Sequence, residues 1–163
     1  MIIALVRIDD RLIHGQVATS WSKEAKCDRI IVVSDEVAKD TFRKTLLLSV
    51  TPPGIKASVV PIDKMIRAYN NPKYEKSRAL LLFTNPSDVL RVVDGGVKIE
   101  SVNIGQMSFK EGRTAIAHAV SVVDEDIEAF NKLNEKGIEL ELRHTASDPK
   151  VNLMDKIKAF SKE

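Results

Sequence analysis

The sequence predicts an α/β protein, a single-domain open, mainly parallel (mixed) sheet of about seven strands with helices on both faces. Short aliphatic or β-branched runs alternate with longer amphipathic ones along the whole chain, as βαβ units require. The opening run from Ile2 to Ile8 is mostly apolar, which suits a strand buried on both faces. A length of 163 residues with 44% hydrophobic side chains can supply one sizeable core.

The first strand is placed at 2–8. Gly15 then opens a helix over 15–25, in which Val17, Ala18, Trp21 and Ala25 recur at helical spacing. Trp21, four residues after Val17, reads as core rather than as a sugar platform. A strand at 29–34 leads to Asp35, a helix-start signal, and a helix at 36–49. Pro52-Pro53-Gly54 is a turn, followed by a strand at 56–60 and a helix at 62–70. A strand at 78–83 precedes Pro86, which suits the first position of a helix at 86–94. After a strand at 99–104, the segment from Gly105 to Arg113 is too short for a crossover helix. It predicts a hairpin or lid and an antiparallel neighbour at 114–118, hence a mixed sheet. A helix at 124–136 stops at Gly137, and a strand at 138–142 and a helix at 151–160 complete the order. No repeat, low-complexity run or linker divides residues 1–163 into further domains.

The 25 basic and 23 acidic residues leave a net charge of +2, and only 5% of residues are aromatic. Neither a nucleic-acid surface nor a polyanionic tail is indicated. Cys27 is the sole cysteine, so no intrachain disulfide and no cysteine metal cluster is expected, in keeping with a reducing compartment. The N-terminus lacks a basic region before its apolar residues, and no apolar stretch reaches the ~20 residues of a membrane span. A soluble cytoplasmic protein without direct membrane insertion is expected.

The chemistry concentrates where the first strand gives way to the first helix, in Arg7-Ile8-Asp9-Asp10-Arg11-Leu12-Ile13-His14-Gly15-Gln16-Val17. His14 sits near a helix N-terminus, whose free amides and dipole favour an anion. A neutral imidazole is a nucleophile that can accept a phosphoryl group without a metal, so His14 is the candidate phosphohistidine. Arg11 supplies a forked cation for the phosphate oxygens, and Gly15 and Gln16 supply amides beside them. Asp9 or Asp10 could fix the imidazole tautomer or orient Arg11, and Asp10 is taken as the catalytic helper. The plainer reading makes Asp10-Arg11 a solvated ion pair and His14 a helix-entry residue.

The segment Arg7 to Val17 resembles the active-site signature of the IIB subunits of the mannose/fructose/sorbose family of the bacterial phosphoenolpyruvate-dependent sugar phosphotransferase system. The likeness extends to Val102-Asn103-Ile104-Gly105-Gln106-Met107 and to the overall length. It implies that His14 takes a phosphoryl group from the phosphohistidine of a IIA protein and passes it to a sugar crossing the membrane through IIC and IID proteins. It also implies that Arg11 is the phosphate ligand, and it favours Nδ1 as the phosphorylated nitrogen. By the same resemblance the protein would be held at the inner face of the membrane through IIC and IID, with a separately encoded IIA partner. No cofactor is implied, and a homo-oligomer is left open.

Ligands of open α/β sheets lie beyond the C-terminal strand ends. In the loops there, Thr84 could donate to a phosphate and Gly105 would allow close backbone approach. For Asp35 and Thr84 helix capping competes with a pocket role. His118, in an alternating run, reads as a harmless strand position, and His144 lies in a polar loop without a phosphate-cradling context. Histidines at 14, 118 and 144 lack metal-ligand spacing, and no metal is expected.

Two other classes compete. A histidine-type phosphatase carries its histidine in an Arg-His-Gly context, but here Ile13 replaces that arginine, and no general acid or second pocket histidine is identified. A phosphate-binding or regulatory α/β module would use the His14 loop only for capture. A nucleotide is a poor ligand for it, since the glycines at 15, 54, 95, 96, 105, 112 and 137 form neither a P-loop nor a G-x-G-x-x-G motif.

Overall fold

A computed structural model describes residues 1–15 and 17–161. Seven strands form one sheet in the order β3-β2-β4-β1-β5-β8-β9, made of β1 (Ile2–Asp9), β2 (Arg29–Val33), β3 (Lys56–Val60), β4 (Arg78–Phe83), β5 (Ser101–Gln106), β8 (Glu139–Leu142) and β9 (Val151–Asn152). All pairs are parallel except β8 with β9. β1 lies at the centre, flanked by β4 and β5, so its C-terminal end opens where the chain has wound away to either side.

The strands bury both faces. Ile31, Val33, Leu81 and Phe83 point into one core with Met65 of α4 (Ile62–Tyr69), Val89 and Val92 of α5 (Pro86–Asp94), Phe130 of α6 (Asp124–Glu135) and Ile157 of α7 (Leu153–Ser161). The intervening Ile30, Val32, Leu80 and Leu82 point the other way, toward Val17, Trp21 and Leu47. This period-2 partition of continuously apolar strands is why helices are needed on both sides.

Several boundaries differ from the sequence-based expectations. The helix expected at 15–25 is mostly a π-turn over Val17–Trp21, followed by the three-residue α1 (Ser22–Glu24). The hydroxyls of Thr19 and Ser22 donate to the carbonyls of Gly15 and Ala18, four residues back, a pairing that bends helices. The helix expected at 36–49 is two helices, α2 (Asp35–Lys39) and α3 (Thr41–Ser49). Asp40 breaks it because its carboxylate caps α3, accepting from Arg43 N at 3.0 Å.

The expected antiparallel neighbour does not join the main sheet. β6 (Thr114–Ala117) pairs instead with the short β7 (Val120–Val122) in a two-stranded hairpin, and the mixed character of the large sheet comes from β9. The hairpin closes through His118 and Ala119, the latter at φ +63°, so His118 is an exposed turn residue rather than a strand position. Gly137, at φ +82°, ends α6 in the left-handed conformation that glycine adopts freely. No helix among the described residues is long and apolar enough to cross a membrane.

Candidate active site

Alternation along β1 sends Val6 and Ile8 into one core and Arg7 and Asp9 to the opposite face, where both side chains are fully buried. Buried charges persist only when paired, and this pair is made by Arg7 Nη2 donating to Asp9 Oδ2 at 3.0 Å. The same carboxylate takes a second guanidinium. Arg11 donates through its backbone N and Nε to Oδ1, at 3.1 and 3.0 Å, and through Nη2 to Oδ2 at 2.9 Å. Burial alone would raise the Asp9 carboxyl, but the Arg11 hydrogen bonds and the charges of Arg7 and Arg11 outweigh it and hold it below the usual carboxylate range. Two cations on one carboxylate leave one surplus positive charge, and Arg11 presents it at the surface with a third of its side chain exposed.

His14 stands beside this cluster. The chain turns sharply after β1, with Leu12 N donating to Asp9 O at 2.9 Å and Leu12 itself at φ +61°. That left-handed backbone is unfavourable for leucine, and its fully buried side chain holds it there. The Leu12 carbonyl receives His14 Nδ1 at 2.8 Å. A carbonyl only accepts, so Nδ1 carries the ring proton in this pose. Nε2 lies 3.9 Å from Asp9 Oδ2, shielded from solvent and without a hydrogen-bond partner among the described residues. The His14 carbonyl then accepts from Ala18 N, starting the helical segment.

Arg7 ties the cluster to the rest of the sheet. Its guanidinium donates to Asn103 Oδ1 on β5 and to the carbonyls of Arg143 and His144 after β8, each at 3.1 Å. It stacks over the Trp21 ring at 4.5 Å, and Arg143, paired with Glu141, stacks on the same ring at 5.0 Å. Burial draws the Arg7 pKa down, and Asp9 restores it only in part. Trp21 is thus core, as expected, and also a platform for two cations. Gly105 has a use other than approach to a phosphate: the Arg7 guanidinium occupies the space a Cβ there would need.

The Asp10 carboxylate is engaged by Ser108 rather than by His14 or Arg11. It accepts from Ser108 N at 2.7 Å and Ser108 Oγ at 2.9 Å, anchoring the loop after β5, and the Asp10 carbonyl accepts from Arg43 Nη2 at 3.1 Å. The orienting carboxylate for Arg11 is therefore Asp9, and Asp10 fixes a loop. Asp10, Arg11, Arg43 and Ser108 line an open cleft of about 360 Å³, in which Arg11, Arg43, Lys110 and Arg113 outnumber Asp10 and Glu36. Thr84 lines the same cleft, although its hydroxyl also accepts from Asn85, the N-cap of α5. Asp35 is a capping residue for another helix, accepting from Ile62 N at 2.9 Å and from Arg91.

Gly15 is exposed, and a Cβ there would meet nothing within 4 Å. Gln16 lies outside the described residues. His118 and His144 line a different cleft, with Gly105 and Lys156. Sequence reasoning missed the roles of Arg7, Arg43, Asn103 and Ser108. Arg7 left a readable sign, an arginine two residues from an aspartate on one face of an apolar strand; the others depend on chain crossings that spacing does not encode.

The sequence matches the family described as "PTS system sorbose subfamily IIB component" over residues 3–163. It is 63% identical over 162 residues to the mannose-specific EIIAB component of Escherichia coli (strain K12), covering 99% of this chain and 50% of that protein. The chain thus spans half the length of the mannose-specific relatives it matches. It is 51% identical to the sorbose-specific EIIB component of Lacticaseibacillus casei, across all of both chains. The crystal structure of the IIBSor domain of the sorbose permease from Klebsiella pneumoniae superposes with a TM-score of 0.95 at 49% identity, covering 98% of each chain.

Proposed function

Because the chain belongs to the sorbose-subfamily IIB family of the phosphotransferase system, we propose that it is a phosphocarrier enzyme in which His14 accepts a phosphoryl group from the phosphohistidine of a IIA protein and passes it to a sugar. Residues 1–163 act as one IIB domain. The observation that carries this reading is the Asp9 carboxylate with two guanidiniums fixed on it and His14 Nε2 3.9 Å away. Such a cluster presents a preorganised positive charge to an incoming phosphoryl group at no cost of rearrangement during transfer.

In the first half-reaction the N–P bond of the donor breaks as one forms to His14, and the donor imidazole regains its lone pair. In the second, a sugar hydroxyl attacks phosphorus, the His14 N–P bond breaks, and the hydroxyl proton is released to solvent. Arg11 binds the phosphoryl oxygens, with help from the Gly15 and Gln16 amides and Thr84. Gly105 serves indirectly, by admitting Arg7, and Asp10 by holding the loop that walls the cleft. Attack by Nδ1 requires it to leave the Leu12 carbonyl and give up its proton; only once that bond is broken does the carboxylate beside Nε2 favour the proton on that side. The chain itself needs no cofactor. It meets the membrane through IIC and IID proteins from the cytoplasmic side.

The test is a chase. Phosphorylated protein, freed of donor, is mixed with membranes carrying IIC and IID components, with and without sugar. Sugar phosphate formed only when both are present supports the relay. Rapid release of inorganic phosphate without sugar would instead indicate a hydrolase.

A further inference from the structure

Six large apolar side chains are exposed in the described structure, and four of them, Phe42, Leu46, Val50 and Phe109, lie on the two segments that wall the basic cleft beside Arg11. Phe42, 76% exposed, precedes Arg43, whose guanidinium lines the cleft and bonds Asp10. Phe109, 71% exposed, sits between Ser108 and Lys110 on the other wall. Leu46 and Val50, the latter the residue that ends α3, follow Phe42 at intervals of four and extend it into a stripe. That helix buries only Leu47 fully, so its apolar character is turned largely outward. Single exposed apolar residues are ordinary, but a grouped set rimmed by charge marks an interaction surface.

We infer that this stripe, with Phe109, is the docking surface for the IIA phosphodonor. The inference rests on the phosphocarrier reading and adds where the donor sits. Two arguments favour this occupant. Direct transfer between two imidazoles requires the protein carrying the phosphoryl group to abut the surface around His14, and Arg11 links that cluster, through Asp9, to the cleft whose walls carry these side chains. The flanking cations Arg43, Lys110 and Arg113 complement a partner whose contact face carries a phosphoryl anion. Aromatic side chains are the usual anchors of such an interface.

The experiment compares wild type with Phe42→Ser and Phe109→Ser, each probed by two donors: phospho-IIA, and phosphoramidate, a small donor that needs no docking. Both substituted side chains are exposed, and circular dichroism verifies the fold. The expected result is a rise of about tenfold or more in the KM for phospho-IIA, the loss typical of one interface anchor, with maximal rate and phosphoramidate labelling unchanged. Lys110→Glu should also raise that KM and weaken its salt dependence. Wild-type saturation by phospho-IIA in both phenylalanine variants would overturn the inference while leaving the carrier function intact. Loss of the sugar-forming step alone would also overturn it, by assigning the stripe to the membrane acceptor. Failure of wild type to be labelled by either donor would overturn the carrier reading itself, and this inference with it.

Discussion

The guanidinium of Arg7 fills the volume that a side chain on Gly105 would require, so β1 and β5 are matched through a missing Cβ. From that position Arg7 reaches Asp9, Asn103 and the carbonyls of Arg143 and His144. Gly105→Ala is therefore expected to displace a buried cation. A loss of about 1–3 kcal/mol, the range for overpacking a core, should appear in urea denaturation, together with slower phosphoryl transfer.

Asp9→Asn removes the charge that compensates Arg7 and Arg11. Breaking a buried pair typically costs about 3–5 kcal/mol. Because the Asp9 pKa is depressed in the folded protein, its contribution is fully present above the unfolded carboxylate value of about 4 and is lost as pH falls through the folded value. The stability gap between wild type and variant should be widest near neutral pH and close in acid, as denaturation at a series of pH values will show.

Arg11 and Asp10 should separate chemically. Arg11→Ala leaves Arg7 on Asp9 and so retains the fold. It is expected to slow both half-reactions by roughly 10- to 150-fold, equivalent to one charge-assisted bond of about 1.5–3 kcal/mol. Asp10→Ala loses two bonds to Ser108 and should destabilise by about 1–2 kcal/mol, with the smaller effect on transfer. Rapid-quench kinetics alongside thermal melts distinguish the two patterns.

The hydrogen bond from His14 Nδ1 to the Leu12 carbonyl predicts that the unphosphorylated, neutral ring carries its proton on Nδ1. Long-range ¹H–¹⁵N correlation spectra should show that tautomer in the free protein, and a proton on Nε2 once Nδ1 is phosphorylated. A resting ring protonated on Nε2 would contradict the geometry.

The main sheet was legible because its strands are apolar without interruption, and the site's location followed from a histidine at the end of the first of them. What stayed hidden depended on tertiary context. Asp40 splits a helix whose residues otherwise favour continuity, the three residues of β7 are too few for a periodic signal, and β9 has only two. Asp9 and Asp10 are neighbours in a motif that names both, yet strand alternation buries one against two arginines and turns the other toward Ser108. Choosing between them requires knowing which face of β1 meets Trp21.

The central claim is that His14 carries the phosphoryl group. Its most direct test is the intact mass of wild type and His14→Ala after incubation with phosphoenolpyruvate, the two general phosphotransferase proteins and a mannose-class IIA protein. One acid-labile, alkali-stable phosphoryl adduct in wild type, absent from the variant, is the predicted result. An equally modified variant, or no adduct with several competent donors, would contradict the account.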